Sequence, residues 1–330
     1  MTEFDEQLSL CHQSETVVAA FLEHLGDIDG ARELLEAGAR GQGLALFDRP
    51  WNYSTHVYGF IEAGRNDDGL IPVTPAIRSV ADPSLVGRQI KVTLDGFRVA
   101  AYPGIIGKHK VLIDFEGRDQ AGAEAQDLRF ATVLKVGDKE SAAISGLPIF
   151  TGLTVPGDGL SFKVRTVLLS NEGDQAIIDV LQSSLFKEGL KLMGTVQPAL
   201  PQLVALAGGV TQNLIRREWN KQVQEFELGL DFSGSRTSAR LRKGSYVVVQ
   251  VPGENMWRWD RWALDPSTMA LVDADGNIAP YNTIVFAVTD STAETGTSAI
   301  RAAGRNGLAV ADGKPIAKPR PRPKRSTSAS

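Results

Sequence analysis

Residues 174–217 read DQAIIDVLQSSLFKEGLKLMGTVQPALPQLVALAGGVTQNLIRR and lie between two blocks of strand-like sequence. Apolar residues recur there at spacings of three and four, which predicts two amphipathic helices joined by a hinge. The first helix has Asp174 as a suitable N-cap and Gly194 as a suitable C-terminal residue. Its apolar face comprises Ile177, Ile178, Leu181, Leu185, Phe186, Leu190 and Met193. The apolar face of the second helix comprises Leu200, Leu203, Val204, Ala207, Val210 and Leu214.

The second predicted helix has two features that bear on how it packs. Gly208 and Gly209 each cost about 1 kcal/mol relative to alanine in a helix interior, so we expect a bend or a close approach of another backbone there. No charged residue occurs from Leu192 to Ile215, a length near that of a membrane-spanning helix. Because prolines, glycines and polar side chains interrupt this run, we expect a hairpin packed on a sheet, with membrane insertion as the alternative.

Strand-like sequence flanks the hairpin on both sides. Alternating apolar residues predict strands at 89–94, 97–102, 109–115, 129–136, 150–155 and 160–169, and again at 226–232 and 239–250. Strands on both sides of one helical pair favour a single body, residues 86–290, into which the hairpin is inserted. The sequence therefore predicts an α+β protein with an antiparallel β-sandwich, loosely similar to C2-like sandwiches.

Two turns predict which strands pair. Asp158 and Gly159 lie between two strand-like runs, and this dipeptide is a strong signal for a hairpin. The turn at 273–277 lies between Val272 and the apolar positions that begin at Ile284, which predicts a final hairpin.

The two ends of the chain differ from the sandwich. Residues 1–85 are predicted to form short helices and a loop-rich connector, with a helix stop at Gly26. Residues 291–330 are predicted to be a flexible, disordered basic tail, because their composition cannot bury enough apolar surface. Alternating Pro and Arg from Pro319 to Pro323 favour polyproline II. Contact with an anionic surface is one use of Arg320, Arg322, Lys324 and Arg325.

Charge and cysteine content limit the function classes. Six of the 35 basic residues lie in the last part of the tail, from Lys314 to Arg325, which leaves 29 basic against 39 acidic residues in the rest of the chain. This acidic body argues against nucleic-acid binding. The single cysteine, Cys11, excludes an internal disulfide. Together with the lack of a recognisable signal peptide, it favours a cytoplasmic location.

Three neighbouring tryptophans form the first candidate site. In a strand, Trp257 and Trp259 would share one face, with Trp262 shortly after them and Arg258 and Arg261 nearby. Exposed aromatic and arginine side chains are enriched at binding hot spots. We expect an interaction surface at these residues if the face is exposed, and an ordinary part of the core if it is buried.

Three carboxylates form the second candidate site. Asp114, Glu116 and Asp119 lie at the end of a predicted strand and in the loop after it, where carboxylate oxygens could bind Ca²⁺. A solvated acidic loop is the commoner meaning of such a cluster. The four histidines do not have the spacing of metal ligands. No cofactor is predicted from the sequence.

These observations favour a non-enzymatic protein-interaction or assembly module, with a partner protein or a second copy as its ligand. Two alternatives belong to other classes. The first is a membrane-acting protein whose hairpin residues Leu200, Leu203, Val204, Val210 and Leu214 leave the sheet and insert into lipid. The second is an enzyme with a site built from scattered carboxylates, which clustering of Asp114 and Glu116 with other acids around a deep cavity would favour.

Overall fold

The computed structural model describes residues 8–39, 48–64, 69–105, 107–119, 126–144, 146–181, 190–191, 200–233 and 239–291. Over these ranges the chain is a mixed α+β protein with mostly antiparallel sheets and few helices, as the sequence predicts. The flexible tail predicted for 291–330 lies outside the described residues beyond Ser291.

Two helices precede the first strand. Helix α1 (Glu15–His24) begins after Ser14, whose side chain accepts a hydrogen bond from the backbone of Val17, and α2 (Ile28–Ala39) follows. The predicted stop at Gly26 is confirmed, since this residue has a φ of 82°, which glycine adopts without steric cost. Buried residues of both helices belong to the main hydrophobic core.

Sixteen strands and two further helices follow in the described ranges. The strands are β1 (Thr55–Glu62), β2 (Ile71–Pro72), β3 (Thr74–Pro75), β4 (Gln89–Val99), β5 (Lys108–Asp119), β6 (Gln126–Gly137), β7 (Glu140–Ser141), β8 (Leu147–Thr154), β9 (Leu160–Leu169), β10 (Leu190–Lys191), β11 (Lys221–Asp231), β12 (Ala239–Arg240), β13 (Gly244–Val251), β14 (Ala263–Asp265), β15 (Ala270–Val272) and β16 (Thr283–Asp290). The helices are α3 (Gln175–Leu181) and α4 (Leu200–Ile215).

The described strands form three sheets. An eight-stranded sheet has the order β10-β8-β4-β16-β13-β1-β3, with β7 paired to β4. A five-stranded sheet has the order β12-β11-β9-β5-β6, and a small sheet has the order β15-β14-β2. The two short pairs β8–β10 and β11–β12 are parallel.

The two large sheets share one buried hydrophobic cluster. Phe162 of β9 stacks on Phe150 of β8 with ring centroids 6.2 Å apart, and it contacts Phe286 of β16 at 6.4 Å. A second cluster lies between the eight-stranded sheet and the small sheet with its neighbouring tryptophans. A third lies between the five-stranded sheet and helices α3 and α4. Each of the two large sheets therefore buries apolar residues on both faces.

The helical segment differs from its prediction in its first half. Helix α3 includes Leu181, but Leu190 and Lys191, which were predicted to be helical, pair as a strand with Phe150 and Thr151. The edge of β8 that does not face β4 offers unpaired backbone N–H and C=O groups. Hydrogen bonding to this edge outweighs the local preference of Leu190 and Lys191 for a helix. Residues 182–189 and 192–199 lie outside the described ranges, and with them Gly194.

Both turn predictions were wrong about strand pairing. The turn at Asp158–Gly159 joins β8 to β9, which belong to different sheets, so it crosses between the sheets and closes no hairpin. The turn after Val272 is flanked only by an isolated antiparallel β-bridge between Val272 and Ile278. Strand β16 pairs instead with β13 and β4. Turn chemistry specifies where the chain reverses, whereas burial of the flanking strands decides what they pair with.

Candidate functional site

A band of alternating charges crosses the outer face of the five-stranded sheet. Glu227 on β11 lies opposite Lys163 on β9, Lys163 lies opposite Glu116 on β5, and Glu116 lies opposite Arg129 on β6. Opposite charges on facing strands contribute about 0.2–1 kcal/mol per pair. In the next row, Arg165 of β9 lies opposite Asp114 of β5. We call these residues the charge ladder: Asp114, Glu116, Arg129, Lys163, Arg165 and Glu227.

Asp114 is the buried centre of the charge ladder. Its side chain is 0% exposed and accepts hydrogen bonds from Arg129 Nε at 2.8 Å, from Arg129 Nη2 at 2.7 Å and from Arg165 Nε at 2.8 Å. The side chains of Arg129 and Arg165 are only 7% and 4% exposed. Charge-assisted hydrogen bonds of this kind are short and directional. Asp114 therefore fixes both guanidinium groups in place.

Glu116 lies between this buried centre and the solvent. Its Oε1 atom is 3.1 Å from Arg129 Nη1 and 3.8 Å from Arg165 Nη2, and its side chain is 25% exposed. Burial raises the pKa of Glu116, and the charge of Asp114 adds to this effect, so the two arginines do not fully offset it. Burial lowers the pKa of Arg129, but its hydrogen bonds to Asp114 and the charge of that carboxylate more than compensate, so the pKa is raised.

A cavity of about 720 Å³ opens over the exposed end of the charge ladder. Ligand-binding cavities in proteins typically have volumes of roughly 300–1,000 Å³. Its floor is made by strands of the five-stranded sheet, one wall by helix α4, and one end by the turn between β8 and β9. We call this cavity the charged groove. Its lining includes Glu116, Arg118, Asp127, Arg129, Asp158, Lys163, Val204, Gly208, Gln212, Glu227 and Asp231.

Helix α4 presents one face to the groove and another to the sheet. Val204, Gly208 and Gln212 line the groove, and their spacing of four residues places them on the same side of the helix. Ala207 and Leu214 are 0% exposed and pack in the cluster beneath the helix. The sheet therefore covers the apolar stripe at these two positions.

Of the two roles predicted for the glycines of α4, a close approach of another backbone is wrong, and a bend stays a prediction. The helix is continuous through Gly208 and Gly209. A Cβ atom on Gly208 would lie 3.8 Å from Arg129, an ordinary contact, and one on Gly209 would meet nothing within 4 Å. Neither residue marks a close approach of another backbone. The side chains of Leu200 and Leu203 lie outside the described part of the structure, so their predicted packing or membrane role stays a prediction, as does the membrane role of Val204, Val210 and Leu214.

The rim of the groove carries more carboxylates than cations. Glu227 is 58% exposed, accepts a hydrogen bond from Ser161 Oγ at 2.8 Å and is 4.0 Å from Lys163. Asp231 pairs with Arg240 at 3.1 Å, and Asp158 in the turn is exposed. Glu116, Asp127, Asp158, Glu227 and Asp231 face only Arg118, Arg129 and Lys163 among the lining residues.

The predicted carboxylate cluster is thus divided between different environments. Asp114 and Glu116 lie within β5, not in a loop, because the strand continues to Asp119. The side chain of Asp119 lies outside the described residues. Where side chains are described, no group of three or more His, Cys, Asp or Glu residues is arranged to hold a metal ion. The arginines hold Asp114 and Glu116 in the geometry of ion pairs.

The three tryptophans pack against one another at the edge of the second hydrophobic cluster. Trp257 is 8% exposed and stacks on Trp262 with ring centroids 5.3 Å apart, while Trp259 meets it edge-on at 5.1 Å. The predicted strand is absent at these residues, where 3₁₀ turns at Glu254–Met256 and Trp259–Arg261 flank an extended Trp257.

The arginines beside the tryptophans lie outside this packing. Arg258 and Arg261 are exposed, and Arg258 pairs with the exposed Asp260 at 2.6 Å. The described structure therefore combines a buried Trp257 with exposed cations next to it. An interaction role for Trp257, Trp259 and Trp262 stays a prediction.

A smaller cavity of about 270 Å³ lies at the edge between the two large sheets and contains the single cysteine. Burial raises the pKa of Cys11 to about 11, and burial lowers the pKa of His56, which lines the same cavity, to about 4. At neutral pH the thiol is protonated and the imidazole is uncharged. Since the thiolate is the nucleophilic form of cysteine, this cavity does not present an activated nucleophile.

Comparisons with family models, curated proteins and solved structures gave no match to this chain. Among the helices of the described ranges, none has the length and apolar character needed to cross a membrane.

Proposed function

We propose that this protein is a non-enzymatic interaction module that binds an extended, positively charged segment of a partner protein in the charged groove. The observation that carries the proposal is a preformed groove of about 720 Å³ with a surplus of carboxylates around it. Asp114 holds Arg129, one of the floor residues, through two hydrogen bonds. A site that is ordered before its ligand arrives loses less free energy on binding.

The shape and charge of the groove support an extended cationic ligand. Its floor is a flat sheet face, and its volume suits a short chain segment better than the surface of a folded domain. Exposed Asp158 and Glu227 lie at its rim, where they attract cations at long range and contact them at short range.

Ion pairing favours binding over catalysis at the same residues. Asp114 is enclosed by two guanidinium groups, so it is a structural charge. Glu116, whose pKa burial raises, supports the alternative of an enzyme with a carboxylate acid, but it too contacts both arginines. We further propose that the two large sheets form a sandwich loosely similar to C2-like domains, which their shared cluster supports. The single cysteine supports action in a reducing compartment such as the cytosol.

A titration with short peptides tests this proposal. A fluorescent peptide of repeated Pro-Arg should bind with an apparent Kd of roughly 0.1–1 mM, and peptides of repeated Pro-Glu or Pro-Ser should not. Glu227→Lys should weaken binding at least about tenfold, because it replaces an attraction by a repulsion of similar size. Asp275→Lys, which changes an exposed carboxylate outside the groove lining, is the matched control and should leave binding unchanged.

Three results would contradict the proposal. The first is a lack of saturable binding by the Pro-Arg peptide at up to about 10 mM, which corresponds to less than about 3 kcal/mol of binding free energy. The second is equal weakening by Glu227→Lys and Asp275→Lys, which would place the binding elsewhere on the acidic body. The third is equal affinity for the Pro-Ser peptide, which would remove the role of charge.

A further inference from the structure

We infer that the charged groove is occupied by the chain's own segment Lys318–Arg325, folded back onto the groove of the same molecule. The inference rests on the proposed function of the groove and names its resident ligand and its regulation. A partner must then displace this segment in order to bind. The segment reads KPRPRPKR, a run of cations alternating with proline.

The last described residue lies close to the groove. The backbone amide of Ser291 donates to the carbonyl oxygen of Gln89 at 3.3 Å, and Gln89 pairs with Thr154 of β8. Two strand spacings of about 4.8 Å each therefore separate Ser291 from β8. Pro156 and Asp158, which line the groove, follow directly after β8. The chain thus leaves the sheet beside the end wall of the groove.

The connecting length suits a return to the groove. Residues 292–317 separate Ser291 from Lys318 and are mostly Ala, Gly, Thr, Ser and other small or polar residues. For comparison, a random coil of 26 residues spans roughly 30 Å on average, so this number of residues is enough to reach across a groove of this size. Tethering by such a linker gives an effective concentration on the order of 1 mM.

Charge and spacing also match. Glu227 and Asp231 line the groove and lie four residues apart on β11, which corresponds to about 13 Å along a strand. Arg322 and Arg325 are three residues apart, which is one turn and about 9 Å in polyproline II, so their long side chains leave the same side of the helix toward these two carboxylates. The present partners of Glu227 and Asp231 are Lys163 at 4.0 Å and Arg240 at 3.1 Å. Surface pairs of this kind contribute about 0–1 kcal/mol, so a new cation can compete with them.

A full-length variant tests the inference without removing any part of the chain. The variant carries Arg320→Glu, Arg322→Glu and Lys324→Glu, and its ligand is a fluorescent peptide of residues 318–325. If the segment occupies the groove in the parent protein, the variant should bind this peptide about tenfold more tightly. In the parent, the tethered segment competes with the peptide at an effective concentration on the order of 1 mM, which is about ten times its Kd of about 0.1 mM. A matched control with Arg301→Glu and Arg305→Glu changes two tail arginines outside the segment and should bind like the parent.

The inference and the proposed function fail in different ways. Equal binding of the peptide to the parent and to the variant would overturn the inference, while loss of that binding on Glu227→Lys would still support the proposed function. No binding of the peptide to the variant would overturn both. Light scattering tests whether the segment binds the groove of another copy. A molecular mass that rises with protein concentration in the parent, but not in the variant, would overturn occupancy within one molecule.

Discussion

Replacing Asp114 by asparagine should destabilise the protein strongly, because it removes the buried charge that neutralises two arginines. Asp114→Asn keeps the shape of the side chain and one carbonyl acceptor but loses the negative charge. The side chains of Arg129 and Arg165, at 7% and 4% exposed, would then lose their shared buried counter-ion and keep their longer contacts to Glu116. Removing one member of a buried ion pair costs about 3–5 kcal/mol. A loss near 4 kcal/mol would be a large part of a typical total stability of about 5–15 kcal/mol.

Urea unfolding at pH 7, followed by circular dichroism and tryptophan fluorescence, measures this loss. With a denaturant dependence of about 3 kcal/mol per molar, the midpoint should fall by roughly 1 M. Asp127→Asn is the matched control, since it breaks the pair between Arg118 Nε and Asp127 Oδ1 at 3.0 Å, whose side chains are 54% and 62% exposed. Exposed pairs are worth about 0–1 kcal/mol, so the control midpoint should barely move.

A double-mutant cycle with Arg165→Met separates the ion pair from other effects of the substitution. The second change removes one of the cations that Asp114→Asn leaves without a counter-ion, so the double variant should be more stable than the sum of the two single effects. Residues in direct contact couple by about 0.5–3 kcal/mol. Equal costs for Asp114→Asn and Asp127→Asn, or a coupling near zero, would refute the reasoning that the charge ladder is a buried electrostatic centre.

Three further substitutions probe other parts of the fold. Burial lowers the pKa of His56 to about 4 from 6.5, so the stability that its neutral form contributes is complete above pH 6.5 and is lost as the pH falls toward 4. The free energy of unfolding should therefore decrease less between pH 7 and pH 4 in His56→Gln than in the parent, by up to about 3 kcal/mol. Urea unfolding at the two pH values measures this difference. Gly59→Ala should lower the free energy of unfolding by about 1–3 kcal/mol, because its Cβ would lie 2.5 Å from the Trp259 ring. Gly229→Ala is its control and should be neutral, because a Cβ there meets nothing within 4 Å. Thermal unfolding of both variants measures the difference. Leu214→Ala should cost about 2–5 kcal/mol, since this side chain is 0% exposed beneath α4, and a loss below 1 kcal/mol in urea would contradict its place in the core.

Apolar periodicity was sufficient to locate most strands. Strand β9 spans Leu160–Leu169, the predicted range, and β5 and β6 extend the predicted ranges at both ends. Alternation identifies a strand because one face of it is buried, and that information is local. It was insufficient at Leu190–Lys191, where a helical pattern gives way to pairing with β8. Strand pairs between distant segments depend on the partner's free edge, which no local pattern describes.

The charged groove could be predicted only in part for the same reason. Asp114 and Glu116 were recognised as a cluster, but at the end of a strand and in the loop after it, with metal-ligand chemistry. Their partners Arg129 and Arg165 were not singled out, because in the sequence they lie 13 or more residues away. What joins the four side chains is the register of β5 with β6 and β9. A site made by register is visible in the sequence only once the strand neighbours are known.

The charges themselves help to decide which strands are neighbours. Strand β5 carries Asp114 and Glu116 at alternate positions, β9 carries Lys163 and Arg165, and β11 carries Glu225 and Glu227. Alternate positions share a face, and like charges on directly facing strands repel. An acidic β5 is therefore disfavoured beside an acidic β11, while a basic β9 between them gains attraction on both sides. The observed order β11-β9-β5 satisfies this condition. Apolar faces of similar composition would leave several orders nearly equal in free energy, so the band of charge contributes specificity to the sheet as well as a surface for a ligand.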